Sequence, residues 1–103
     1  MFKHIREVSV AVRDLDQAIQ SIGATLGIEP GGIRSDARPP IQSRFATFKI
    51  GDSGITLMES MADGSPIDRF IRRRGEGIFS ITVTVRNMEE VTEDLRKRGV
   101  EVI

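Results

Sequence analysis

The chain has 103 residues, of which 39% are hydrophobic and 29% charged, and it contains no cysteine. This size implies one small domain, and the lack of cysteine excludes a disulfide framework, a thiolate metal site and a cysteine nucleophile. Lys and Arg (15) balance Asp and Glu (15), so no net field draws the chain to nucleic acid or an anionic membrane; with no apolar run long enough for a signal peptide or a membrane span, the expected setting is cytoplasmic.

In chain order, Val8, Val10 and Val12 alternate with Glu7, Ser9 and Ala11, a period of two that predicts a strand with one apolar face. The other face, small and polar, suits a lined cavity or a solvated sheet surface. Asp14 followed by Gln17 starts a helix with an N-cap and a side chain reaching back. Leu15, Ala18, Ile19, Ile22 and Leu26 form its inner stripe, and Gly27 ends it. Pro30-Gly31-Gly32 and Arg38-Pro39-Pro40 bracket a polar stretch of turns, within which Ile28 to Ser35 is expected to supply an irregular strand. Arg44 to Ile50 and Gly54 to Glu59 read as a hairpin around Gly51-Asp52-Ser53-Gly54. Ser65 caps a short helix with Pro66 at its first position; Ile67, Phe70 and Ile71 face inward and Gly75 stops it.

A repeat organises the chain. Val8 to Ala18 returns 73 positions later as Ile81 to Val91, with Ile81, Val83 and Val85 on one face and Ser80, Thr82 and Thr84 on the other. Asn87 and Glu90 repeat the helix start, Met88, Val91 and Leu95 the stripe, and Gly99 the stop. The two stripes are expected to cover the valine side of the sheet. The chain thus reads as a β-α-β-β-β unit over about 1–64, a short helix over about 65–75, and a partial second unit over about 76–103. By the offset, counterparts of Arg44 to Glu59 would fall near 117–132. The second unit therefore reads as truncated, with an open edge for another chain to complete.

Two runs carry a family resemblance. Ile5-Arg6-Glu7-Val8-Ser9-Val10-Ala11-Val12-Arg13-Asp14-Leu15 resembles the opening of the methylmalonyl-CoA epimerases, in the vicinal-oxygen-chelate superfamily that also holds glyoxalase I and bleomycin-resistance proteins. Ser65-Pro66-Ile67, Phe70 and Arg74-Gly75-Glu76-Gly77-Ile78 match the same family at the same spacing, as do Leu26-Gly27 and Leu57-Met58-Glu59. The resemblance implies an α+β fold of paired βαβββ modules, glyoxalase-like, with a curved, mixed and mainly antiparallel sheet cupping a divalent metal. It also implies epimerisation through a metal-stabilised enolate, with glutamates moving the proton.

The family's ligand residues do not carry over. Glu7 stands where the family has its first His, Thr56 where it has Glu or Gln, and Ser80 where it has the second of two His; its fourth carboxylate falls beyond Ile103. Hydroxyls are weak neutral donors, so no metal cofactor is expected. Nor is metal-dependent epimerisation expected of the isolated chain.

The candidate site residues are therefore Glu7 as a lone catalytic carboxylate, with Ser9, Thr56, Ser80, Thr82, Thr84, Arg72 and Arg73 as substrate-binding groups. Each has a plainer reading. Glu7 suits an exposed strand-end acid or an arginine partner, and Ser80, Thr82 and Thr84 suit pairing along a sheet, with no general base in sequence reach. Arg69, Arg72, Arg73 and Arg74 suit coenzyme A phosphates or a solvated helix face. His4, the single histidine, falls on the opposite face of a regular strand from Glu7, exposed near the terminus.

The expected function is that of a divergent epimerase-like binding module or accessory subunit for an acyl-CoA or similar small molecule. It would work as a homodimer or with a partner enzyme, without nucleic acid or membrane. The alternatives are an epimerase, isomerase or lyase whose site another chain completes, and a sequestering protein, against which five Phe and no Trp or Tyr argue.

Overall fold

The β-branched alternation at the start of the chain forms β1 (Phe2–Ala11), and the Asp14 carboxylate accepts the Gln17 N–H at 3.1 Å to start α1 (Leu15–Leu26). Gly27, at φ 70°, ends α1 in the left-handed region that glycine enters without a Cβ clash. β2 (Arg34–Asp36) follows, then the hairpin of β3 (Ser43–Ile50) and β4 (Ser53–Ser60), α2 (Pro66–Arg74), β5 (Gly77–Val85) and α3 (Met88–Lys97). The computed structural model describes residues 2–100.

The strands form an open sheet in the order β2-β3-β4-β1-β5. β1 lies parallel to β4, joined to it through α1, β2 and β3, and antiparallel to β5; the β2–β3 and β3–β4 pairings are also antiparallel. The mixed, mainly antiparallel α+β sheet expected from the sequence is present. The irregular strand expected over Ile28 to Ser35 is the three-residue β2, placed later because only Arg34 to Asp36 find partners, in Phe45, Arg44 and Ser43.

Register divides the sheet into two faces. Val8 and Val10 of β1 lie beside Ile55 and Leu57 of β4, which pair with Phe48 and Ala46 of β3. α1 packs on this apolar face over β3 and β4, closing a core of Val12, Leu15, Phe48 and Leu57 with Val10, Ala18, Ile19, Ile22, Ile28 and Ile55 around it. Glu59 ties the helix to the sheet, its carboxylate accepting the Leu15 N–H at 3.1 Å and pairing with Arg44 at 3.0 Å. Glu76 holds the preceding turn by accepting the Arg13 N–H at 2.9 Å.

Two expectations about the inner stripes fail. Leu26 is exposed, although it shares the stripe of the wholly buried Leu15. In α3 only Val91 is buried while Met88 stands in solvent, and Ile78, Ile81 and Val83 of β5 are exposed as well. The reason is positional: α1 lies over the strands next to β1, and the corresponding positions beyond β5 are empty among the described residues.

Candidate functional site

The second face of the sheet gathers the polar residues. Glu7 of β1 sits between Gly54 of β4 and Thr82 of β5, and Ser9 sits between Thr56 and Ser80. Thr47 of β3 continues the row, its hydroxyl 2.7 Å from that of Thr56. Ser9 and Thr56 are buried, Thr84 is half-buried, and Ser80 and Thr82 are exposed. Ser60 shares this face, and its hydroxyl contacts that of Ser65, the N-cap of α2, at 2.6 Å, so α2 begins on the polar side. Phe70 of α2 then meets Phe79 of β5 edge to face, with ring centroids 5.3 Å apart.

β1 is not regular, and this changes where His4 goes. His4 pairs with Thr84, Ile5 with Val83 and Glu7 with Thr82, which leaves Arg6 as an extra residue. The bulge shifts the alternation by one, so His4 lies on the same face as Glu7, not opposite it, and its Nδ1 is 3.0 Å from the Thr84 hydroxyl. The exposure expected of His4 is observed. Ser53 donates its hydroxyl to the Ile5 carbonyl at 2.7 Å beside this bulge.

At the β3–β4 end of the polar face lies a cleft of about 720 Å³, lined by Arg6, Glu7, Glu29, Arg34, Thr47, Lys49 and Asp52 among others. None of its six charged side chains has an ion-pair partner within 4.0 Å among the described residues. Arg34 leans over the Phe45 ring, 5.7 Å from its centroid. Just along β2, two hydrogen bonds from the Arg38 guanidinium, with a third from its backbone N–H, hold the Asp36 carboxyl at about 2.

Arg34 and Lys49 of this cleft were not among the residues singled out from the sequence. The hairpin register would have found Lys49, since Phe45, Thr47 and Lys49 share one side of β3. Arg72 and Arg73 are not cleft residues. Both are exposed on α2, and Arg72 is engaged by Asp68 at 3.1 Å and Asp63 at 3.6 Å.

Glu7, Thr56 and Ser80, at the positions where the resemblance places the family's ligands, lie on three neighbouring strands. The Thr56 hydroxyl is bonded to Thr47, Ser80 offers a neutral hydroxyl, and Glu7 is the one anion of the three. Among the described residues no three of His, Asp and Glu come together as a cation would require. One carboxylate with two neutral hydroxyls is a weak donor set for a divalent cation.

A βαβββ unit whose first strand is shared with a second β-α unit, over a polar sheet face, defines a glyoxalase-like protein. The chain belongs to the Glyoxalase/Bleomycin resistance protein/Dioxygenase superfamily, whose family model matches residues 6–103. It is 27% identical over 104 residues to the ethylmalonyl-CoA/methylmalonyl-CoA epimerase of Cereibacter sphaeroides, a match covering 100% of this chain and 76% of that one. Among solved structures, a Streptomyces coelicolor methylmalonyl-CoA epimerase variant in complex with 2-nitronate-propionyl-CoA superposes with a TM-score of 0.86 at 25% identity, over 100% of this chain and 74% of that one. Methylmalonyl-CoA epimerase from Mycobacterium tuberculosis gives 0.84 at 26%, over 99% and 68%. No helix among the described residues is long and apolar enough to cross a membrane.

Proposed function

We propose that this chain is a divergent methylmalonyl-CoA epimerase-like protein that binds an acyl-CoA or similar small ligand on its polar sheet face without the family's metal. It serves as a binding module or an accessory subunit. The observation that carries this reading is a cleft beside Glu7 whose cations, Arg6, Arg34 and Lys49, have no ion-pair partner among the described residues; the resemblance places neutral hydroxyls, Thr56 and Ser80, at two of the family's ligand positions. In this reading Arg34 and Lys49 take over the attraction of an acyl carboxylate, which a metal would otherwise provide. Ser9, Thr56, Ser80, Thr82 and Thr84 offer hydroxyls to a thioester oxygen, and Arg72 and Arg73 on α2 meet the phosphates of the coenzyme tail. The names of the relatives support the ligand class, one solved epimerase being in complex with methylmalonyl-CoA. The whole chain acts as one glyoxalase-like domain, 1–64 forming the first module and 76–103 belonging to a second.

Isothermal titration tests both parts. Propionyl-CoA is expected to bind and cobalt or nickel is not; stoichiometric micromolar uptake of either ion overturns the metal-free reading, and no heat with propionyl-CoA overturns the ligand.

A second reading rests on Glu7, whose carboxylate has no hydrogen-bond or ion-pair partner among the described residues and faces the cleft. That leaves it free to act as a general base in an epimerase, isomerase or lyase completed by another chain. Deuterium exchange at the α-carbon of methylmalonyl-CoA with metal added decides the matter. Exchange lost in Glu7→Gln supports this reading, and no exchange above background removes it.

A further inference from the structure

His4 is the one histidine in the chain, and the bulge at Arg6 places it on the polar face. It stands opposite Thr84 of β5 while Glu7 stands opposite Thr82. Those two threonines are two residues apart, so the positions of His4 and Glu7 are separated by about 7 Å along the sheet, at 3.4 Å per residue. Ile5 and Val83, which pair between them, turn to the apolar face. Neither fills the space between Glu7 and His4.

The ring of His4 is held in one orientation. Thr84 donates its single hydroxyl proton to the His4 carbonyl at 3.4 Å, and its oxygen lies 3.0 Å from Nδ1. A hydroxyl whose proton is so placed accepts from that nitrogen, which puts the imidazole proton on Nδ1 and leaves the Nε2 lone pair bare. Nε2 has no hydrogen-bond partner among the described residues, and neither has the Glu7 carboxylate. Two proton acceptors thus stand at the two ends of one gap. A carbon seated midway between them has one group on each side at about 3.5 Å, close to the separation of reacting atoms in a near-attack arrangement. Arg6 lines the same cleft as Glu7 and has no ion-pair partner among the described residues.

We propose that His4 is a second proton-transferring residue, working against Glu7 across the α-carbon of an acyl thioester bound between them. This rests on the reading of Glu7 as a general base. Glu7 takes the α-proton from one side of the carbon. The electron pair of the broken C–H bond passes to the thioester oxygen as an enolate, and Arg6 is the cation beside Glu7 that meets its charge. His4 in its imidazolium form then gives the Nε2 proton to the opposite side of the carbon, which restores the carbonyl and inverts the configuration. Glu7 releases its proton to solvent, neutral His4 takes one up, and in the reverse direction the two exchange roles. Thr84 is a positioning residue, because it aims Nε2 by holding Nδ1.

The two epimers of methylmalonyl-CoA, each followed in deuterium oxide with the full chain, separate these roles. The wild type is expected to take up deuterium from either epimer with inversion. His4→Gln is expected to lose inversion by roughly 100-fold or more and still to exchange, without inversion, the epimer whose α-proton faces Glu7; Glu7→Gln is expected to exchange only the other. His4 is exposed, so the circular dichroism of its variant is expected to match wild type. Nitrogen NMR of the single imidazole in its neutral form is expected to find the proton on Nδ1, and Thr84→Val is expected to move it toward Nε2. A wild-type proton on Nε2 overturns the proposal, as does a His4→Gln variant that loses exchange of both epimers equally. A wild type that exchanges neither epimer overturns the Glu7 reading and this proposal with it. Inversion that depends on Glu7 and proceeds at the wild-type rate in His4→Gln overturns the role of His4 alone.

Discussion

Replacing Glu59 with alanine removes the acceptor of the Leu15 N–H and the partner of Arg44 in one step. Leu15 is wholly buried at the first turn of α1. Leaving its partly buried N–H without an acceptor is worth about 1–2 kcal/mol. The Arg44 pair is weaker than its 3.0 Å suggests, because the two side chains keep 35% and 22% of their exposure; water screening holds it to about 0.5–1 kcal/mol. The carboxylate also sits at the positive end of α1, for about 0.5 kcal/mol more. The sum is about 2–3.5 kcal/mol, a large part of the roughly 5–15 kcal/mol that holds a domain of this size. It should appear as a drop in melting temperature of about 10–20 °C. Glu59→Gln keeps an acceptor oxygen and loses only the charge, so it should lose about 1 kcal/mol. Urea unfolding of both variants, with Arg44→Ala completing a double-mutant cycle, measures each part. An alanine variant within about 0.5 kcal/mol of wild type refutes the claim that this carboxylate anchors the helix.

Phe48, fully buried between α1 and the sheet, should lose about 3–4 kcal/mol as Phe48→Ala and less than half of that as Phe48→Leu, measured by urea midpoint. The Ser43 hydroxyl is buried without a partner among the described residues, so Ser43→Ala should unfold at equal or higher urea, by up to about 1 kcal/mol; a loss of stability instead would mean the hydroxyl is satisfied in solution. Because Asp36 ionises at about 2 in place of the usual 3.8, its contribution to stability is full above pH 3.8 and lost as pH falls through 2. Carboxyl NMR should place its midpoint there, and Arg38→Ala should return it toward 3.8.

The sequence made the two faces of β1 legible because valine alternation and register obey the same period of two, and Glu7, Ser9, Thr56, Ser80, Thr82 and Thr84 do share one face. It could not show the bulge at Arg6, since an inserted residue leaves the apolar pattern of Val8 to Val12 intact while moving His4 across the sheet. The caps at Asp14, Ser65 and Asn87 were legible because each is a local side-chain-to-backbone bond three residues long. The stripe Met88, Val91, Leu95 had the right period and still misled. Periodicity tells which way a helix faces, and only the strands beneath it decide whether anything is there. Glu59 escaped notice because its role is to bind a backbone N–H 44 residues away, a pairing with no trace in spacing.

The place of β1 in the sheet order has a kinetic meaning. The strand made first ends between the two halves of the sheet, with Glu7 beside both Gly54 and Thr82. No β1 pairing can form on the ribosome until β4 has emerged, and the second must wait for β5, so loop closure over long stretches precedes any reward from the central strand. β3 and β4, joined by a two-residue turn, are free to pair first and present an edge. Folding of this chain should therefore be limited by the return of its own beginning to a hairpin already made, and mutations in β1 should slow refolding more than mutations in β2 do.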